Sequence, residues 1–334
     1  TAIVAGAIIA LLGGSRVQVS GPTAAFIVIL APITAKFGLA GLALSSAMAG
    51  IMLVAMGAAG LGRFIAVIPY PVTTGFTAGI AVVIAVLQIK DFFGLVIEKM
   101  PDHFPGKILA IFSAMPTVSS ADFAVGALTF AILVFWSRWF RKVPAPLVAL
   151  LAAALLALFM EKVFPGLDVA TIQDRFATAE NPTGIPGLLP SFGLPWSFHA
   201  PGDPPFELTF GMFRELIPSA FTIAMLGAIE SLLSAVVSDA MNKTTHDPNA
   251  ELIGQGVGNI VAPFFGGIAA TGAIARTATS LKFGARSPIA SFTHALFVLA
   301  AMIALSPYLG YLPMAALAAL LLRVAWHMSE AKQF

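Results

Sequence analysis

Apolar runs long enough to cross a bilayer follow one another along almost the whole sequence. A membrane-spanning helix needs about 20 mostly apolar residues. Such stretches are read at 1–13, 22–36, 39–60, 71–89, 121–140, 144–162, 214–240, 250–266, 272–284, 287–306 and 311–328. Pro71, Pro144, Pro288 and Pro313 stand near the starts of four of them, where a missing N–H costs little. Of the 334 residues 10% are charged and 58% hydrophobic, and the mean hydropathy is +0.93. That is too little polar surface to cover a soluble body of this size. Apolar dominance and the lack of a three-residue glycine period exclude disorder and collagen. With no cysteine, disulfides, iron–sulfur clusters and thiolate zinc sites drop out. A net charge of +2 gives no argument for nucleic acid. The chain reads as an all-α polytopic membrane protein whose surroundings are the lipid bilayer.

No signal-peptide pattern opens the chain; Thr1 to Leu12 is already uncharged and apolar, as if the numbering begins inside a membrane helix. The connections divide by charge. Asp168, Asp174, Glu180, Asp203 and Glu207 lie in the long connection 163–209, with Arg175 as its base. Arg138, Arg141 and Lys142 crowd the end of one span, and Lys282 with Arg286 the end of another. The positive-inside rule places the basic ends in the cytoplasm and the long connection outside. Arg16 reads as a further topology charge. The turn-rich segment from Asn181 to Trp196 reads as the joint between two halves.

Two spans, 22–36 and 272–284, are too short to cross alone, and each follows a glycine-rich break. In Gly13-Gly-Ser-Arg-Val-Gln-Val-Ser-Gly-Pro-Thr23, residues Val17 to Val19 read as extended, Ser20-Gly21 breaks the chain and Pro22 starts a helix. The second break is Gly266-Gly-Ile-Ala-Ala-Thr-Gly-Ala-Ile-Ala-Arg276. Kinked helices with glycine-rich turns are the plainer alternative. Two short, interrupted spans in corresponding places of two halves point instead to a transporter's binding site. Non-helical backbone at membrane depth survives where it is buried in protein or lines a wet cavity. A half-helix beginning there aims free N–H groups and a positive dipole end at whatever fills the space. Two such ends facing each other make an anion site.

Arg276 sharpens this, because a cation at a helix N-terminus is repelled by the dipole unless an anion lies between. A pair with a carboxylate, or snorkelling to the interface, would also account for it. Glu230 sits midway along its span, and an intramembrane carboxyl is a functional candidate by default. Ser234 shares its face one turn on. Burial of Glu230 suits a proton carrier more than a fixed charge, and a neutral Glu hydrogen-bonded for packing is the plainer alternative. Asp239, near the cytoplasmic end, reads as solvated. His103, His199, His246, His294 and His327 have no partner at metal-ligand spacing, so no metal is expected. No nucleophile elbow, phosphate loop or dinucleotide fingerprint is present, and neither a catalytic residue nor a cofactor is expected. Gly13-Gly14 and Gly254 to Gly258 read as packing glycines.

Four segments, taken in order, closely resemble the SulP sulfate-permease family of anion transporters, relatives of prestin and pendrin. They are Gly14-Ser-Arg-Val-Gln-Val-Ser-Gly-Pro-Thr23, Ile68-Pro-Tyr-Pro-Val-Thr-Thr-Gly-Phe-Thr-Ala-Gly-Ile80, Gly227-Ala-Ile-Glu-Ser-Leu-Leu-Ser-Ala235 and Thr271-Gly-Ala-Ile-Ala-Arg-Thr-Ala278. The resemblance implies fourteen segments in two inverted seven-segment repeats, divided into core and gate domains. On that scheme 1–162 holds segments 2–7 of the first repeat and 163–209 is an extracellular or periplasmic linker. Residues 210–334 then hold segments 8–12 of the second repeat. Segment 1, segments 13 and 14 and the cytoplasmic STAS domain fall outside the sequence. The anion is expected between Ser20, Gly21, Pro22, Thr23 and Ala24 on one side and Ala273, Ile274, Ala275 and Arg276 on the other. Glu230 matches the acidic position of segment 8, with Ser234 beside it. Sodium-coupled bicarbonate members resemble the pattern with Asp there, whereas Glu fits a proton.

The resemblance therefore implies a secondary transporter of a small anion of the sulfate, bicarbonate or dicarboxylate class, working by alternating access with a coupled proton. Sodium is the less favoured coupling ion. An uncoupled exchanger or an anion channel on the same fold is the alternative; a membrane-embedded enzyme lacks any nucleophile–base or metal constellation. A bacterial inner membrane and a homodimer of the full-length protein are expected.

Overall fold

A computed structural model describes residues 1–65, 70–101, 103–140, 143–164, 166–178, 181–185, 187, 189–200 and 206–329. Arg141, Lys142, Glu180, Asp203 and the Ile68-Pro69 start of the second motif lie outside the described residues. In chain order the elements are α1 (Val4–Leu12), β1 (Ser20–Gly21), α2 (Ile27–Ala58), α3 (Gly62–Ile65), α4 (Tyr70–Phe92), α5 (Phe104–Ala114), α6 (Ser120–Trp139), α7 (Ala145–Val163) and α8 (Ile172–Phe176). They continue with α9 (Phe210–Asn242), α10 (Pro248–Val261), β2 (Thr271–Gly272), α11 (Ile274–Lys282), α12 (Pro288–Leu309) and α13 (Met314–Met328). Among the described residues four helices have the length and apolar character to cross a membrane: Ala24–Ala58 (its first turn a 3₁₀ turn), α7, α9 and α12. Phe104–Thr117 and Ser120–Trp136, bent by 113° at their junction, pass the same test as a pair.

The spans read from the sequence recur as helices, with three corrections. The stretches 22–36 and 39–60 join as α2, yet Gly38 inside it has φ 67° and ψ −171°. That positive φ is open to glycine at little cost, so the helix is kinked there, in the gap between the two stretches. Secondly, Pro22 does not start a helix. Thr23 is extended at φ −118°, ψ 153°, and Ala24–Phe26 form a 3₁₀ turn before α2; the extended pair is Ser20–Gly21 rather than Val17–Val19. Thirdly, α5 arises where no span was expected, because it is an 11-residue helix and length was the criterion. The long connection also holds α8, whose Thr171 and Asp174 form a reciprocal capping box.

Two compact units divide the chain: Thr1–Thr73 with Leu188–Ala301, and Thr74–Gly187 with Met302–Phe334. In the second unit small residues face inward. Ala153 and Ala157 of α7 are buried with Ala121 and Val125 of α6 and Ala316 of α13, and Ala149 is buried as well, while Leu147, Leu151 and Leu155 are 67%, 61% and 59% exposed. This is the arrangement of helices that pack by close approach in lipid, where burying leucine gains nothing over leaving it in the acyl chains.

In the first unit α10 is clasped between α1 and α2. A Cβ on Gly254 would stand 2.7 Å from Gly13 Cα, and one on Gly256 2.6 Å from the Gly50 carbonyl oxygen. Gly14 lies against the Asp247 carbonyl in the same way. Ser119, Thr209 and Asp247 cap α6, α9 and α10 with their side-chain oxygens.

Candidate functional site

Two short strands organise the site. β1 and β2 pair antiparallel, Ser20 opposite Gly272 and Gly21 opposite Thr271. The pairing gives partners to backbone that interrupts two spans. Ala273 N–H extends it by donating to the Val19 carbonyl at 2.9 Å, and Val19 N–H donates to Thr277 Oγ1 at 3.0 Å.

Side chains of α9 and α10 hold β2 in place. Thr271 Oγ1 donates to the Gly227 carbonyl at 3.1 Å. Its proton being used there, Ser231 donates to Thr271 Oγ1 at 2.9 Å and accepts from Gly272 N–H at 3.1 Å. Asn259 matches the backbone of Ala270 on both sides, Nδ2 to the carbonyl at 2.9 Å and Oδ1 from the N–H at 2.7 Å. A Cβ at Gly272 would run into the Gln18 amide and displace it.

From the paired strands the chain enters the two half-helices. Thr23 leads into Ala24 and the turn that becomes α2, and Ala273 leads into α11. Thr277 makes the first return bond of α11, to the Ala273 carbonyl at 2.9 Å, so the N–H groups of Ile274, Ala275 and Arg276 precede any intrahelical acceptor. Arg276 Nη2 donates to the Pro22 carbonyl at 2.5 Å, and its other terminal nitrogen lies beside Gly21. Among the described residues Arg276 forms no ion pair with a carboxylate. Glu230, 7% exposed, accepts a hydrogen bond from Thr23 Oγ1 at 3.0 Å. Ser20, Gly21 and Pro22 are therefore brought beside Gly272, Thr271 and Arg276, with Glu230 on Thr23; Ala24, Ile274 and Ala275 follow in the first turns of the two half-helices. A cationic side chain, two helix starts and a buried carboxyl converge in one place. Such a set can accept a small anion and hold a proton.

Ser234 is fully buried, and its hydroxyl has no hydrogen-bond partner among the described residues. It is Ser231 that joins α9 to β2. Asp239 is not solvated as expected: it accepts from the His246 N–H at 2.8 Å, His246 Nδ1 at 2.7 Å and Thr244 Oγ1 at 2.9 Å. It ties down the turn after α9, where Lys243 takes a left-handed φ of 55°. Sequence reasoning also missed Glu251, Gln255 and Asn259, all buried on α10. Their four-residue spacing in an apolar span was the available signal.

The chain matches the sulfate permease family over residues 1–334. It is 41% identical to a Bacillus subtilis protein named "Putative sulfate transporter YvdB", over 100% of this chain and 59% of that protein. It is 31% identical to the bicarbonate transporter BicA of Picosynechococcus, over 97% of this chain and 55% of the relative. The chain thus spans somewhat more than half the length of these relatives. The solved transmembrane domain of a cyanobacterial BicA superposes with a TM-score of 0.82 at 26% identity, covering 98% of this chain and 79% of the other. A murine Solute Carrier 26 anion transporter in an inward-facing state gives 0.75 at 19% identity, covering 96% and 56%, and speaks to the fold alone. These matches place the helical fold among membrane-embedded anion transporters, as the four sequence segments imply.

Proposed function

Because the chain belongs to the sulfate permease family, we propose that it forms the transport region of a secondary transporter for a small anion of the sulfate, bicarbonate or dicarboxylate class. The anion lies between Ser20–Ala24 and Ala273–Arg276, against helix N–H groups and the Arg276 guanidinium. Glu230, with Ser234 on its face, carries a coupled proton, and sodium is the alternative coupling ion. Transport proceeds by alternating access, with the unit holding the paired strands as core and the other unit as gate. Residues 1–162 and 210–334 are inverted repeats joined by 163–209, and the full-length protein is a homodimer in a bacterial plasma membrane.

The observation that carries this reading is the β1–β2 pairing. It sets two helix starts side by side and, among the described residues, leaves the Arg276 charge without a protein carboxylate. A helix N-terminus favours negative charge by up to about 1 kcal/mol at exposed positions and ~2 kcal/mol when partly buried; two of them with an arginine suffice for reversible binding. A midplane carboxyl favours coupled transport over a channel, which has no need of one.

The test is uptake of labelled sulfate, bicarbonate, fumarate and chloride into proteoliposomes of the full-length protein, with and without an inward proton gradient. Gradient-driven accumulation of one of them is expected. Exchange or conductance that ignores the gradient would instead establish the uncoupled alternative, and movement of none would overturn the proposal.

A further inference from the structure

Glu251 is fully buried in the first turn of α10. Both of its oxygens are engaged. Oε1 accepts from Gln18 Nε2 at 3.0 Å and from Gln255 Nε2 at 2.9 Å, and Oε2 accepts from the Ser15 N–H at 3.0 Å. Gln255 Nε2 also donates to Ser20 Oγ at 3.0 Å. Ser15, Gln18 and Ser20 belong to one non-helical segment, the approach to the first half-helix. Such a segment lacks a ladder of its own until Ser20 meets β2, so its path depends on the groups that anchor it. The Gln18 side chain, held by Glu251, fills the space beside Gly272. One carboxylate thus holds the lead of β1 and, through Gln18, a side chain packed on β2.

We infer that Glu251 is a positioning residue of the anion site: acting through Gln18 and Gln255, it fixes β1 against β2 and so sets where the two half-helices begin. The inference rests on the proposed reading of that site as the anion's. Glu251 itself bonds to none of the residues assigned to the anion other than through Gln255 at Ser20. A carboxylate accepts on both oxygens with the neighbouring amides as they stand. Glutamine there keeps the Ser15 bond only if the Gln18 and Gln255 amides turn their oxygens, unpartnered among the described residues, toward its NH₂ group, which ends the Gln255 Nε2 bond to Ser20.

The experiment uses the full-length protein with two readouts. One is equilibrium binding of labelled sulfate. The other is the rate at which maleimide alkylates Ala24→Cys, a probe at the half-helix start, read against the same protein without that substitution. Glu251→Gln is expected to raise the sulfate Kd and to shift the alkylation rate, each by about tenfold, the size of one buried hydrogen bond lost at Ser20. Gln255→Leu, which cuts the link to Ser20 and leaves the Ser15 and Gln18 bonds, is expected to do the same.

A sulfate Kd and an alkylation rate within twofold of the parent in either folded variant would overturn the inference while leaving the anion site standing. A shifted alkylation rate in a protein whose parent binds no sulfate would support the positioning role and count against sulfate as the anion. Failure of both variants to fold would overturn it too, since the cluster would then be a condition of folding and not of binding.

Discussion

The two compact units differ in how much polar material they bury. The first encloses Glu230, Glu251, Gln18, Gln255, Asn259, Ser231, Thr271 and Thr277, while the second packs α6, α7 and α13 on alanine and valine. Asp122, the buried acid of the second unit, is occupied with the N–H of Ala170 at 3.2 Å. Polar groups at membrane depth are expensive and persist where they bind or move something. Small inward residues are what helices need in order to associate in lipid. On the proposed function, the first unit carries the chemistry and the second the helix packing. Substitutions in the two should therefore fail in different measurements.

The largest effect is expected from Arg276→Ala, which removes the positive charge at the paired strands. The anion Kd should rise about 100-fold, or ~2.7 kcal/mol, with the thermal midpoint little changed. A Kd within twofold of the parent, measured by equilibrium binding, would take Arg276 out of the site. Ala153→Leu should do the converse. It forces extra methylenes into the α6–α7–α13 contact, costing about 1–3 kcal/mol of stability. The thermal midpoint in detergent should fall while the Kd of the surviving folded protein holds. Loss of affinity without loss of stability would dissolve the contrast between the units.

Thr23→Val, smaller again, removes the hydroxyl that bonds Glu230. A loss of about 1 kcal/mol, roughly fivefold in proton-driven uptake, is expected. Unchanged uptake would make that bond incidental. At Leu151, 61% exposed on α7, an alanine should shift stability by less than about 0.5 kcal/mol. A larger fall in the thermal midpoint would mean that this face meets protein and not lipid.

Hydropathy and glycine placement made much of this legible in the sequence. The break at Gly38 lies in the gap between two stretches read as separate spans, and Gly266-to-Arg276 marked the second interruption. Arg276 and Glu230 stood out because charge is rare in such surroundings. The strand register was not legible, since two-residue strands have no period to read. The exact helix start was missed because Pro22 is as good at the end of an extended lead as at a first helical position. Glu251 escaped because an acid near a cytoplasmic span end reads as solvated. Its burial comes from the Gly13-on-Gly254 approach and the return of residues 15–20, both tertiary events.

The central claim is that the polar unit binds an anion and passes a proton through Glu230. The direct measurement is paired, proton-gradient-driven uptake and anion counterflow in liposomes, for the parent and for Glu230→Gln. Glutamine keeps the shape and the capacity to bond Thr23 while removing the proton to be exchanged. The account predicts that this variant loses gradient-driven accumulation and keeps counterflow, because Arg276 and the helix starts are untouched. Full gradient-driven accumulation by Glu230→Gln would contradict it.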